Sequence, residues 1–384
     1  MAAHMSTATT KGQLNEALTQ ASRIVIKIGS ALLVDATGEL RTDWLGKLAR
    51  DIMQLRAEGK EIVTVSSGAV ALGAPLLPEG TSKRRLQESQ AAAAVGQVRL
   101  AHAWQELFAA HDTVVAQILL TLEDTETRRR YLNARDTIDT LLTMGAVPVI
   151  NENDTVATQE IRYGDNDRLA ARVAQMISAD GLVILSDVDG LYTDNPELNA
   201  DAQFIDLVED ITPEIEAMAG EPLRMGVGSG GMITKVTAAQ IAVASGCHVL
   251  LINGTHDSPI TRFRETGRGT LFAAQETDTS QHKQWLAGTL MPAGTLVVDE
   301  GAEQALSKGK SLLAAGVTAV EGDFQRGDTV AITNQQNKEL ALGLAAYPSQ
   351  EARLIMGHNS RELEAILGYR GRGELVHRDN MVLR

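Results

Sequence analysis

Segment 24–30 constrains the fold of this chain more than any other stretch, and its sequence is IVIKIGS. β-Branched residues surround a lysine, and glycine and serine follow, which predicts a buried strand that runs into a tight turn. An ammonium group buried without a partner is costly, so Lys27 at the carboxyl end of this strand calls for an anion. Gly29 lets such an anion approach the backbone closely. The segment alone is equally compatible with a lysine that reaches solvent from an edge strand.

Strand and helix patterns alternate through the first two thirds of the chain. Apolar residues at helical spacing predict a helix over 45–56, and the sequence EIVTVS over 61–66 predicts the next buried strand. Further strands are predicted at 113–120, 146–150, 181–186 and 248–252, with helices at 83–110, 125–144, 168–178 and 236–244. This alternation predicts an α/β fold whose mainly parallel sheet is sandwiched by helices, with ligands at the carboxyl ends of the strands.

A different pattern begins near residue 293. Short strands separated by turns are predicted at 295–298, 327–332 and 339–344, which is typical of a small β-rich domain. We therefore expect two domains, an α/β domain over residues 20–280 and a β-rich domain over residues 293–371.

Composition argues against several classes of protein. The net charge of −14 argues against a large surface for nucleic acid or for anionic membranes. No apolar run approaches the roughly 20 residues that a membrane-spanning helix needs. Cys247 is the single cysteine, so no intrachain disulfide can form, which is typical of a protein in the reducing cytoplasm. We expect a cytoplasmic protein that binds neither membrane nor RNA.

A glycine-rich loop precedes a second lysine. Residues 226–231 formally match GxGxxG, but they lie late in the chain and lack the acidic residue of the dinucleotide-binding pattern. The loop offers consecutive N–H groups and opens a predicted helix with Lys235 in its first turn, which suits a nucleotide triphosphate. Lys27 and Lys235 can flank a transferred phosphoryl group if a carboxylate lies between them, and Asp167 or Asp187 can supply it.

Polar residues that follow the predicted strands suit an amino-acid substrate. Asn151, Asp154 and Asn166 match a zwitterion, because a carboxylate can bind its ammonium group and amides can bind its carboxylate. Gly29 and Gly68 can donate backbone N–H groups to phosphate oxygens. The sequence has no metal-ligand spacing of Cys or His, so we expect a magnesium ion to arrive on the nucleotide.

Five motifs together resemble those of the amino acid kinase family. They are KIGS at 27–30, SSGA at 66–69, NEND at 151–154, GDND at 164–167 and SGGMITK at 229–235. Because it carries both NEND and GDND, the chain resembles the members of this family that phosphorylate glutamate. The segment from Leu296 onward resembles the PUA domain that bacterial members of this group carry.

This resemblance implies transfer of the γ-phosphoryl group of ATP to the side-chain carboxylate of L-glutamate, the first step of proline biosynthesis. It implies catalytic roles for Lys27, Lys235 and Asp167, of which Asp167 orients the two lysines. The residues implied to bind glutamate are Ser67, Asn151, Asp154 and Asn166. With Gly29 from the argument above, the expected nucleotide site comprises Lys27, Gly29, Ser186, Asp187, Ser229, Gly230, Gly231, Met232, Ile233, Thr234 and Lys235. A magnesium requirement, feedback inhibition by proline and a homo-oligomer, either dimer or tetramer, are also implied.

Two alternatives stay open at this stage. One is another acid kinase of the same fold, acting on acetylglutamate or carbamate, which the pair of Asn/Asp motifs argues against. The other is an RNA-binding role through the C-terminal domain, which the acidic total and the nearly neutral charge of that domain argue against.

Overall fold

The computed structural model describes residues 7–77, 85–156, 165–220, 231–274 and 292–384. The chain divides into two compact units, the first formed by residues 1–126 and 133–276 and the second by residues 127–132 and 277–384. Each unit contains its own sheet and its own hydrophobic core, so the two are described separately.

An eight-stranded sheet forms the centre of the first unit. The strands of this unit are β1 (Arg23–Ile28), β2 (Glu61–Ser66), β3 (Val115–Leu120), β4 (Val147–Glu152), β5 (Gly181–Ser186), β6 (Leu191–Tyr192), β7 (Phe204–Ile205), β8 (Leu207–Val208), β9 (His248–Asn253) and β10 (Thr270–Phe272). The sheet order is β3-β4-β2-β1-β5-β9-β10-β8, and β6 pairs with β7 in a separate ribbon. The strands from β3 to β9 in this order run parallel, and β10 runs antiparallel to β9.

Helices connect these strands. They are α1 (Thr7–Gln20), α2 (Ser30–Leu33), α3 (Thr42–Ala57), α4 (Ala69–Gly73), α5 (Leu86–Ala109), α6 (Leu122–Glu126), α7 (Arg128–Thr143), α8 (Asp165–Met176), α9 (Pro213–Met218), α10 (Met232–Val243) and α11 (Pro259–Thr266). Helix α3 shows why they pack on the sheet, since its Leu45, Leu48, Ile52 and Leu55 lie on one buried stripe. Burying each such side chain contributes roughly 1.5–3 kcal/mol.

Two glycines let α4 and α5 pack at backbone distance. A Cβ atom at Gly73 would overlap the carbonyl oxygen of Ala92, and one at Gly96 would overlap the carbonyl oxygen of Ala69. Only glycine therefore fits at either position. This crossing fixes the middle of α5 against the first residue of α4, directly after the turn that follows β2.

The second unit is β-rich, as its sequence predicts. Its strands are β11 (Gly294–Val298), β12 (Leu312–Leu313), β13 (Val317–Gly322), β14 (Thr329–Asn334), β15 (Glu339–Leu344), β16 (Glu374–Val376) and β17 (Met381–Leu383), and its further helices are α12 (Glu300–Ser307), α13 (Ser349–Ile355) and α14 (Leu363–Leu367). The main sheet has the order β13-β11-β14-β15-β17 and encloses a core that includes Leu296, Phe324 and Ile332.

The predicted fold class is confirmed, whereas several predicted element boundaries are wrong by a few residues, and the helix predicted over 125–144 is two helices, α6 and α7. Three of the wrong boundaries concern site residues. Strand β4 continues through Glu152, so Asn151 lies on the strand and not in the turn after it. Helix α8 begins at Asp165 and not at Arg168, and α10 begins at Met232 and not at Val236. Asn166, Asp167 and Lys235 therefore lie in first helical turns, which hold their backbones rigidly.

Within the ranges that the structure describes, no helix is both long enough and apolar enough to cross a membrane.

Candidate active site

The predicted site residues that the structure describes lie along one edge of the sheet. In the register of the sheet, Lys27 on β1 lies between Val65 of β2 and Ile184 of β5. Because β1, β2, β4, β5 and β9 run parallel, their carboxyl ends reach the same edge. Turns and helix starts that follow these ends supply the polar groups described below.

A buried ion cluster joins β1, α8 and α10. The Lys27 ammonium lies 2.5 Å from Oδ1 of Asp167, and the Lys235 ammonium lies 3.6 Å from Oδ2 of the same carboxylate. The Asp167 side chain is fully buried, and only 8% of Lys27 and 9% of Lys235 is exposed. The structure therefore selects Asp167, rather than Asp187, as the carboxylate between the two lysines.

The charges in this cluster shift one another's pKa values. Burial alone would raise the pKa of Asp167, but the ammonium groups of Lys27 and Lys235 hold that pKa below its ordinary value. Burial lowers the pKa of Lys235, and the nearby Lys27 lowers it further, although Asp167 offsets part of the shift. The cluster thus contains an ionised carboxylate and a cation that gives up its proton more readily than a solvated lysine.

The turn after β1 and the first turn of α10 border the ion cluster. A Cβ atom at Gly29 would lie 3.6 Å from the Lys27 ammonium, so the start of α2 borders the cluster. The Thr234 hydroxyl donates a hydrogen bond of 2.8 Å to Oδ2 of Asp167, which ties the first turn of α10 to the carboxylate. Gly231 caps that helix without a side-chain hydrogen bond, so its first N–H groups can face an anion.

A second cluster, made of carboxamides, lies beside the ions. The Asn166 amide donates from Nδ2 to the Ser67 hydroxyl at 2.7 Å and to Oδ1 of Asn151 at 3.1 Å. Oδ1 of Asn151 also accepts from the backbone N–H of Glu152 at 2.9 Å. Oδ1 of Asn166 is buried and accepts no hydrogen bond from the described residues. A buried acceptor without a donor costs free energy, so this oxygen suits a ligand that brings N–H groups.

Sequence reasoning missed one member of this cluster. Gln97 on α5 accepts a hydrogen bond of 2.7 Å from Nδ2 of Asn151, 54 residues away in the chain. The glycine that precedes it, Gly96, is the only local signal, because a glycine within a helix costs about 1 kcal/mol relative to alanine and indicates a close packing contact.

The other predicted residues have different positions relative to these clusters. Ser186 at the end of β5 is buried and donates to Asp187 at 3.1 Å, and Asp187 is exposed. Asp154 is half-buried in the turn after β4. Met232 and Ile233 form the first turn of α10 with Thr234. Ser229 and Gly230 lie outside the described residues, so the structure does not place them.

The described side chains do not fit a magnesium ion held by the protein. Among them, no group of three His, Cys, Asp or Glu side chains is arranged to hold a metal ion. Asp167 already lies against two ammonium groups, which oppose a further cation. The donor set instead suits an anion, and two cations on one carboxylate can stabilise a phosphoryl group in transfer.

Comparison with known proteins shows which protein family and which domain family the chain matches. Residues 22–253 match the amino acid kinase family, and residues 294–367 match the PUA domain. A protein named glutamate 5-kinase from Paramagnetospirillum magneticum is 55% identical over 367 residues, which cover 95% of this chain and 99% of the relative. A glutamate 5-kinase from Rhodospirillum rubrum is 56% identical over 360 residues, covering 94% of this chain and 96% of the relative. The family match spans every strand that carries a residue of the two clusters.

Proposed function

The chain belongs to the amino acid kinase family, and on that premise we propose that it transfers the γ-phosphoryl group of ATP to the side-chain carboxylate of L-glutamate. The product is glutamyl 5-phosphate, which opens proline biosynthesis. The names of the relatives at 55% and 56% identity support this substrate. The observation that carries the proposal is the buried Asp167 between two lysines, directly beside the carboxamide cluster.

The ion cluster acts on the phosphoryl group. Phosphoryl transfer requires alignment and charge neutralisation, because negative charge spreads over the transferred oxygens. Lys27 and Lys235 supply two positive charges that are already in place, which avoids reorganisation during the reaction. Asp167 holds both ammonium groups at fixed positions and thereby reduces their mutual repulsion. The acceptor carboxylate attacks the γ-phosphorus, the bond to the bridging oxygen breaks, and ADP leaves.

The remaining nucleotide contacts come from the edge of the sheet. Gly29 and the N–H groups at the start of α10 donate to phosphate oxygens, and Ser186 and Asp187 contact the nucleotide at the end of β5. The proposed nucleotide site is completed by Ser229, Gly230, Gly231, Met232, Ile233 and Thr234. We propose that the nucleotide enters as its magnesium complex, with the phosphates as the main ligands of the ion.

The carboxamide cluster binds the acid substrate. The buried Oδ1 of Asn166 accepts from the substrate ammonium group, and Asp154 adds a negative charge for the same group. Ser67 and Asn151 donate hydrogen bonds to the α-carboxylate of the substrate. Proline also carries a positively charged nitrogen, here a secondary ammonium, next to an α-carboxylate, so we propose that it competes with glutamate at this cluster. We further propose that the protein is cytoplasmic and forms a homo-oligomer, either a dimer or a tetramer. Light scattering measures the molar mass in solution and so tests the oligomeric state.

One assay tests the proposed reaction. ATP-dependent acyl hydroxamate formation would be measured with magnesium and with L-glutamate, N-acetyl-L-glutamate or L-aspartate, each with and without proline. We expect product from L-glutamate alone. Product from N-acetyl-L-glutamate would move the chain to another acid kinase of this fold. No product from any acid would overturn the proposal, and retention of tRNA on filters at two salt concentrations would then test an RNA-binding role.

A further inference from the structure

We propose that Gln97 is a positioning residue that orients the carboxamides of the substrate site. This inference rests on the proposed function, because it concerns how the acid substrate is held. Gln97 belongs to none of the five motifs that predict the site, and the contact that gives it this role is with Asn151. Its Oε1 accepts a hydrogen bond of 2.7 Å from Nδ2 of Asn151.

The hydrogen bonds form a chain with one direction. The backbone N–H of Glu152 can only donate, so its partner atom on Asn151 must be the carbonyl oxygen. Nδ2 of Asn151 therefore faces Gln97, and Oδ1 of Asn151 faces Nδ2 of Asn166. That arrangement leaves Oδ1 of Asn166 as the acceptor for a substrate donor. Gln97 is the last residue of this series of hydrogen bonds, at the end that lies farthest from this acceptor.

The backbone of Gln97 is held by helix packing. Gly96 precedes it, and the contact of Gly96 with Ala69 fixes this turn of α5 against the start of α4. The same start of α4 follows the turn that carries Ser67, a second partner of Asn166. One helix crossing thus sets the positions of both ends of the hydrogen-bonded chain.

Loss of the Gln97 oxygen leaves a donor of Asn151 without its partner. Asn151 is only 2% exposed, so water cannot readily replace the glutamine. An unpaired buried donor favours other side-chain positions of Asn151, and the acceptor that Asn166 presents then loses its fixed place. The substrate acid should bind more weakly, whereas the ion cluster and the nucleotide site keep their geometry.

A double-mutant cycle tests this role. The variants are Gln97→Met, which keeps the length of the side chain, Asn151→Ala, and the two together, each assayed for KM and kcat. We expect Gln97→Met to raise the KM for glutamate roughly 10-fold, from the cost of a buried unpaired donor. The KM for ATP and the kcat should change less than about 2-fold. In the Asn151→Ala background, Gln97→Met should have no further effect, because its partner is gone.

Gln105→Met, at an exposed glutamine of the same helix, is the matched control and should behave as the parent. Thermal unfolding checks each variant, and Gln97→Ala replaces Gln97→Met if the latter does not fold. Three results would each overturn the inference. They are an equal effect of Gln97→Met in the parent and in Asn151→Ala, an unchanged KM for glutamate, and a rise in the KM for ATP equal to that for glutamate. Failure of the proposed function gives a different result, because the parent protein is then inactive on L-glutamate. In that case the double-mutant cycle is run with the acid that the parent protein phosphorylates.

Discussion

Replacing Asp167 with asparagine removes the charge that separates two buried ammonium groups while keeping the shape of the side chain. Unit charges 2.5 and 3.6 Å apart attract by roughly 7 and 5 kcal/mol at an effective dielectric constant of about 20. Desolvation of three buried ions offsets much of this attraction, and breaking a buried ion pair typically costs about 3–5 kcal/mol. We expect Asp167→Asn to lower the free energy of unfolding at pH 7 by about 3 kcal/mol, the low end of that range, because Lys235 can release its proton.

The pH dependence of that loss has a defined sign. The pKa of Asp167 lies below its ordinary 3.8, so its stabilising effect is present above that pH and is lost as the pH falls through the lower folded value. The difference between parent and variant should therefore persist from pH 7 to about pH 4 and then vanish in stronger acid. Asp167 also raises the pKa of Lys235, so the variant should lose activity at a lower alkaline pH than the parent.

Urea unfolding and steady-state kinetics over this pH range measure both effects. We expect kcat to fall more than about 100-fold in Asp167→Asn, because the two lysines lose their fixed positions. Asp51→Asn is the control, since Asp51 is also buried but accepts hydrogen bonds from Ile260 and Thr261 at the start of α11. It should lose stability and keep its kcat. A stability loss under about 1 kcal/mol together with a kcat near the parent value would refute the reasoning.

Three further substitutions separate the roles of charged residues. Lys235→Ala should lower kcat more than about 100-fold by removing charge stabilisation from the transition state, and a near-normal kcat would contradict that role. Asp154→Ala should act on the KM for glutamate; loss of ATP affinity with intact glutamate binding would show that Asp154 is wrongly assigned. Lys60→Met should cost about 1–3 kcal/mol of unfolding free energy and leave kcat unchanged, because the Lys60 ammonium donates to the carbonyl oxygens of Thr19 and Ala21. Denaturation and kinetics on the same samples distinguish these outcomes.

The central strands and the ion cluster were accessible from the sequence because their signals are local. A β-branched run with one lysine defines β1, and a carboxylate between two lysines follows from charge repulsion alone. The charge argument alone left the choice between Asp167 and Asp187 open, since it depends on where α8 begins, and only the resemblance to the amino acid kinase family named Asp167. Helix α8 starts three residues earlier than predicted and carries Asp167 into the sheet edge. Polar residues favour first turns, so helical periodicity alone placed this boundary too late.

The contacts that sequence reasoning missed join residues far apart in the chain. Gln97 and Asn151 are separated by 54 positions, and neither residue carries a pattern that names the other. Strand β10 has only three residues and runs antiparallel to its neighbour β9, so it is too short for a periodicity argument. The packing of α4 on α5 depends on backbone distances that become visible only in three dimensions.

The crossing of α4 and α5 limits how this sequence can drift. The atom that excludes a side chain at Gly73 or Gly96 is in each case a backbone oxygen, which every amino acid carries. No second-site suppressor on the facing helix can therefore make room, and a library of random variants should retain glycine at both codons. The alternative is to move the whole helix, which would carry Gln97 away from Asn151. Gly73 and Gly96 carry no functional group, yet a substitution at either position would disturb the proposed substrate site through the movement of Gln97.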